Sequence, residues 1–160
     1  MTKTKQLILL LVCTVTAFTS CSKKEDNFDA AAQFTKDTTA IRAFIIAKNI
    51  PAIKDAKTGL FYQVITPGTV NFAYQPNSLV TVNYSGRLLD GSVFDTSNGK
   101  PVTFPLNNLI RAWQIGIPLV QPGGSIRLIV PSELGYGNDN RQPFPANSIL
   151  DFTIDVISAK

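Results

Sequence analysis

An α+β fold is predicted for this 160-residue chain: an antiparallel sheet carrying one short internal helix, preceded by an N-terminal helix. Three observations lead there. Apolar and polar residues alternate along several short segments, most clearly Val80, Val82 and Tyr84 against Thr81, Asn83 and Ser85. Turn dipeptides such as Asp90-Gly91 and Asn98-Gly99 punctuate those segments. Only two segments read as helices, one ahead of the strands and one brief one among them.

Ser22 to Thr35 is polar and without a clear period, and is read as a tether spanning 21–36. Asp37 or Thr38 then caps a helix on which Ile41, Phe44, Ile45 and Lys48 share one face. Pro51 stops it. This extension, 37–58, has two options, packing on the following domain or pairing with another copy; its length favours the first. The domain proper runs over 59–160. Leu60 to Ile65 reads as a strand closed by Pro67-Gly68, followed by strands at Ser78 to Leu88, Ser92 to Asp95 and Val102 to Phe104. Asn107 to Trp113 reads as the internal helix, capped by Asn107 or Asn108. Gly123-Gly124 opens a buried strand from Ser125 to Val130. The last strand, Ile149 to Ile157, alternates Leu150, Phe152, Ile154 and Val156 with Asp151, Thr153 and Asp155.

Composition narrows the chemistry. The chain has no histidine, which excludes a Ser-His-Asp triad, a histidine general base and any histidine-containing zinc site. Its two cysteines, Cys13 and Cys21, cannot build a Cys-only zinc site or a disulfide framework. With 15 basic and 11 acidic residues scattered in sequence, no nucleic-acid surface is expected.

The first twenty residues look like a leader rather than part of the fold. Lys3 and Lys5 precede an apolar run from Leu7 to Thr19, too short to span a bilayer. Phe18-Thr19-Ser20-Cys21 resembles the lipobox of bacterial lipoprotein signal peptides, with Phe18 where Leu is commonest; Cys13, preceded by Val12, fits less well. The reading is a signal peptide over 1–20 and an acylated Cys21 that attaches the protein to a membrane. The alternative is an ordinary secretory leader with a chance cysteine. Loss of Lys3 and Lys5 leaves 13 basic against 11 acidic residues. Ser22-Lys23-Lys24-Glu25-Asp26 resembles a surface-export signal of some Gram-negative lipoproteins, or is a solvated tether. The expected location is the cell envelope, at the periplasmic face or the outer surface of the outer membrane.

Separated segments in a fixed order carry a family resemblance. YSGRLLDGSVFD, LIRAW, PGG, PSELGYG and PANSILDF, spread from about Asn77 to Lys160, are similar to FK506-binding-protein-type peptidyl-prolyl isomerases. The resemblance implies a twisted antiparallel half-barrel wrapped around the short helix, with a proline pocket between helix and sheet. It implies that Trp113 floors the pocket, that Tyr84, Phe94 and Phe152 wall it, and that Asp95 and Tyr136 form its polar edge. Val102, Leu109 and Phe144 are implied to contact the substrate, and the backbone N–H of Ile110 to bind a substrate carbonyl. Asn138 to Pro145 is implied to loop over the pocket. Asp95 is expected to pair with a nearby cation, Arg87 or Arg111 being candidates, or with a tyrosine.

Two residues depart from the family pattern. Val102 stands where an aromatic is usual, and Ala112 where glycine is usual before the tryptophan. The implied substrates are proline-containing polypeptides, with FK506-like macrolides as ligands and no cofactor. The alternative function is a non-catalytic peptide-binding or chaperone lipoprotein on the same scaffold.

Overall fold

The computed structural model describes residues 28–160. The leader, Cys13, the lipidation candidate Cys21 and tether residues 21–27 lie outside the described residues.

Helix α1 spans Ala30–Ala47. It therefore begins inside the segment read as tether and well ahead of the expected caps. Asp29 is the N-cap, its side chain accepting from the Ala32 N–H at 2.9 Å, and three alanines then start the helix at low entropic cost. Asp37 and Thr38 lie mid-helix and are buried. The helix ends as expected: Asn49 turns into the left-handed region at φ 51°, two residues before Pro51.

Seven strands follow: β1 (Ile53–Lys54), β2 (Phe61–Thr66), β3 (Leu79–Leu88), β4 (Val93–Thr96), β5 (Val102–Pro105), β6 (Ser125–Val130) and β7 (Leu150–Ala159). All pairings are antiparallel, in the order β1-β2-β6-β7-β3-β4, with β5 also pairing β3. Strand β1 has no counterpart in the sequence reading, since two residues are too few to show a period. The helix expected over Asn107 to Trp113 is instead a 3-10 turn (Leu106–Asn108), an extended Leu109-Ile110 step, and α2 (Arg111–Gly116). Gln114 Nε2 donates to the Leu109 carbonyl at 2.7 Å and pins the extended step. No asparagine caps α2.

Alternation divides the central strands between two faces. On the front, Ile126, Leu128 and Val130 of β6 and Leu150, Phe152, Ile154 and Val156 of β7 meet Ala112, Trp113 and Ile117 in one buried cluster. On the back, Phe61 and Ile129 join Ile41 and Ile50 in a second cluster, with Phe44 and Ile45 packed beside it. Thus α1 docks on the sheet through the face read from its sequence; Lys48, at the C-cap, remains exposed. Gly59 is needed for this contact: at φ 77° it accommodates the Phe34 ring where any Cβ would clash. The back face also carries Arg127, which forms a bidentate pair with Asp151 at 2.8 and 2.6 Å.

Candidate active site

A cavity of about 260 Å³ lies on the front face between α2, its preceding turn and the sheet. Tyr84, Asp95, Phe104, Asn108, Leu109, Ile110, Trp113, Tyr136 and Phe152 line it. Larger hollows of about 400 and 460 Å³ lie along α1, but no aromatic side chain borders either. A further hollow of about 280 Å³ has one aromatic, Tyr74, at its border. The front cavity is bordered by five aromatic rings, Tyr84, Phe104, Trp113, Tyr136 and Phe152, beside a few polar groups, as ligand pockets are.

Aromatic rings build its frame. Tyr84 meets Trp113 at 5.1 Å, Trp113 meets Phe152 at 5.3 Å, Phe152 meets Phe94 at 5.5 Å, Phe94 meets Phe144 at 4.7 Å, and Phe144 meets Tyr136 at 5.6 Å. Every contact is edge-to-face, the arrangement the ring quadrupoles favour. Trp113 is 4% exposed and borders the cavity, so the indole floors a hollow rather than being sealed within the core. Its Nε1–H is buried and finds no acceptor among the described residues. An unpaired buried donor costs ~1–3 kcal/mol, a cost typical of functional sites.

The polar edge is a tyrosine–carboxylate pair. The Tyr84 hydroxyl donates to Asp95 Oδ2 at 2.9 Å. Burial, and then the Asp95 carboxylate accepting its hydrogen bond, push the Tyr84 phenol up to about 12. Tyr136 is raised as well, by burial first and by the Asp95 charge second. Both hydroxyls therefore remain neutral donors at neutral pH. Neither Arg87 nor Arg111 pairs with Asp95; the ion pairs among the described residues are Arg127–Asp151 and Arg141–Asp139. Ile110 contributes backbone. The extended Leu109-Ile110 step leaves its N–H without an acceptor among the described residues, beside the cavity.

Seven of the ten expected pocket residues thus line the cavity: Tyr84, Asp95, Leu109, Ile110, Trp113, Tyr136 and Phe152. Phe94 and Phe144 do not. They stand one ring behind, Phe94 bracing Phe152 and Phe144 bracing Tyr136. Phe144 is buried and does not border the cavity, whereas the expectation placed it against the substrate. Val102 is also absent from the lining. Phe104, two residues along on the same face of β5, borders the cavity instead. The Phe104 ring lies 6.5 Å from that of Tyr84.

Sequence reasoning also missed Asn108 and Gly86. A Cβ at Gly86 would come within 2.8 Å of both the Phe94 and Phe152 rings, so β3 must be bare there for those rings to approach. The signal was a glycine inside an otherwise regular strand, which marks a close approach.

Residues 72–157 match the model of FKBP-type peptidyl-prolyl cis-trans isomerases. The chain is 40% identical over 125 residues to the peptidyl-prolyl cis-trans isomerase Mip of Coxiella burnetii, covering 74% of this chain and 53% of that protein. It is 38% identical over 110 residues to FkpA of Escherichia coli K12, covering 68% and 40%. A crystal structure of FkpA from Escherichia coli superposes with a TM-score of 0.70 at 35% identity, covering 82% of this chain and 61% of that one. A peptidyl-prolyl isomerase structure from Pseudomonas syringae gives 0.66 at 28% identity, covering 84% and 98%. The chain spans about half the length of the curated relatives it matches. With its aromatic cavity, its sheet and these matches taken together, the chain belongs to the FKBP-type peptidyl-prolyl cis-trans isomerase family.

Proposed function

We propose that this protein is a peptidyl-prolyl cis-trans isomerase that twists X-Pro bonds of polypeptides within the front-face cavity. The observation that carries this reading is the indole-floored hollow with Tyr84, Asp95, Tyr136 and the free Ile110 N–H at its margin. Rotation about an X-Pro bond is slow, tens to hundreds of seconds uncatalysed, because it breaks amide resonance. No covalent bond to carbon forms or breaks, so the reaction needs no nucleophile, and the lack of histidine is no obstacle.

Two effects lower the barrier. Seating the prolyl ring on Trp113, between Phe152 and Tyr84, strips water from the imide carbonyl. Water hydrogen bonds favour the planar, charge-separated amide, so their removal favours the twisted one. The Ile110 N–H holds a neighbouring carbonyl of the peptide, and the Tyr136 hydroxyl, fixed where water is not, favours the twisted imide by meeting its oxygen only where rotation carries it. Each ~1.4 kcal/mol of that preference is tenfold in rate. Asp95 moves no proton here; it fixes the Tyr84 ring through the 2.9 Å hydrogen bond.

The expected setting is the cell envelope, with the chain lipid-anchored at Cys21, clients among envelope proteins, and FK506-like macrolides as competitors for the pocket. The lipobox-like Phe18-Thr19-Ser20-Cys21 supports the anchor, and mass spectrometry of the mature N-terminus tests it. The rival reading, a non-catalytic binding scaffold, draws on Val102 and Ala112. Phe104 weakens the Val102 part of that argument by supplying an aromatic at the same edge. A proline-limited refolding assay decides: acceleration above background is expected. Macrolide binding without acceleration would favour the scaffold reading, and neither would end both.

A further inference from the structure

One carboxylate links the N-terminal helix to the pocket. Asp37 lies in the middle of α1, is 2% exposed, and has no cationic partner among the described residues. Burying a carboxylate is costly unless its oxygens are hydrogen-bonded, so its partners explain its presence. Gln33 Nε2 donates to Oδ1 at 2.7 Å. The backbone N–H and the hydroxyl of Ser132 both donate to Oδ2, at 2.8 and 2.6 Å, from 95 residues away in sequence.

Ser132 opens a 3-10 turn (Ser132–Leu134) whose first N–H groups have no acceptor within the turn. Asp37 thus caps that turn from another element. The Ser132 carbonyl in turn accepts from the N–H groups of Gly135 and Gly137, at 2.9 and 2.8 Å, and these two glycines flank Tyr136. The Gly137 carbonyl accepts from the Asn147 N–H at 2.7 Å, which closes the loop carrying Phe144 against the same backbone. An unbroken path of short hydrogen bonds therefore runs from α1, on the back of the sheet, to the backbone that presents Tyr136 to the cavity in front.

We infer that Asp37 is a positioning residue for the pocket: by capping the Ser132 turn, α1 sets the backbone on which Tyr136 is presented. The catalytic half of this inference rests on the isomerase reading above; the structural half does not.

The test uses the full chain, with amide exchange at Gly135 and Gly137 and kcat/KM on a prolyl peptide as independent readouts. In Asp37→Ala the two glycine amides are expected to lose about tenfold in protection while β6 and β7 amides keep theirs, and kcat/KM to fall about five- to tenfold. That fall should shrink to less than about twofold in a Tyr136→Ala background, because the two changes act through one group. Asp37→Asn should recover at least about half of the lost activity, since its amide oxygen can still accept both Ser132 donors while Gln33 turns its own oxygen to the new NH₂ group.

Unchanged protection at the two glycines overturns the inference. So does an equal loss of protection across β6 and β7, or an undiminished fall in the Tyr136→Ala background. If Asp37→Ala does not fold, Ser132→Ala removes only the hydroxyl donor; about threefold lower protection at Gly135 and Gly137 is expected, and none would refute the link. Should the wild type lack isomerase activity, the functional reading fails alone and the exchange data still decide the coupling.

Discussion

The two faces of the sheet use the same strands for different ends. The front is aromatic, encloses a cavity, and leaves Trp113 Nε1 and the Ile110 N–H without an acceptor among the described residues. The back is packed mainly by aliphatic side chains around Phe61 and Phe44, with Ile41 and Ile129 fully buried and Arg127 matched to Asp151 by two hydrogen bonds. Both front-face donors sit where a substrate would lie, whereas Ile41, Ile129 and Phe61 on the back face are packed out of solvent. The contrast teaches that α1 is no mere spacer after a tether: it completes the second core and, through Asp37, touches the first.

Substitutions on each face should separate these roles. Trp113→Ala has the largest expected effect. It removes the floor and opens a cavity in the front cluster, so unfolding in urea should show a loss of about 3–5 kcal/mol, and the refolding assay a rate near background. If that rate stays near wild type, the indole is not the floor of the reactive pocket.

Ile41→Ala on the back face should cost about 2–4 kcal/mol in the same urea experiment. Well below its unfolding midpoint, its kcat/KM should stay within about twofold of wild type, because Ile41 makes no link to the front. A larger loss of activity would blur the division between faces. Asp37→Ala is expected to do the reverse, which makes the pair a direct comparison of packing with positioning on one helix.

Gly86→Ala tests the front frame alone. The added methyl meets the Phe94 and Phe152 rings, and overpacking there should cost about 1–3 kcal/mol. Ring displacement should also weaken binding of a prolyl peptide, measured by calorimetry. Equal affinity would mean that the wall tolerates movement.

The smallest effect is a titration. Burial and the Asp95 carboxylate raise the Tyr84 phenol to about 12, above the ~10 of a free tyrosine. A raised folded-state value favours the neutral phenol, so this contribution to stability is full below about pH 10 and disappears as pH rises towards 12. Asp95→Asn should shift the phenolate absorbance transition to lower pH without bringing it to the free value, since burial, the larger cause, remains. No shift would place the carboxylate outside the pair.

Much of this was legible from residue patterns. The alternation in Leu150 to Val156 and in Val80 to Tyr84 placed strands within a residue or two, and the separated motifs brought seven of ten expected residues to one cavity. Errors arose where a local signal competed with a distant partner. Asp37-Thr38 has the look of a helix cap, yet Asp29 caps the helix and Asp37 serves Ser132. Asn107 and Asn108 look like caps too, but the Leu109-Ile110 step is held extended by Gln114. Val102 and Phe104 share a face of β5, and nothing local to that strand says that Phe104 is the one that borders the cavity.

The sequence by itself determined the strand faces and the turns between them, because these are written in spacings of two to four residues, the range over which backbone geometry repeats; the aromatic set came from the family resemblance. Tertiary structure alone decided which rings line the cavity and which stand behind. It also decided that a carboxylate on α1 caps a turn 95 residues away. Such contacts depend on how the sheet brings remote segments together, and no local period encodes that.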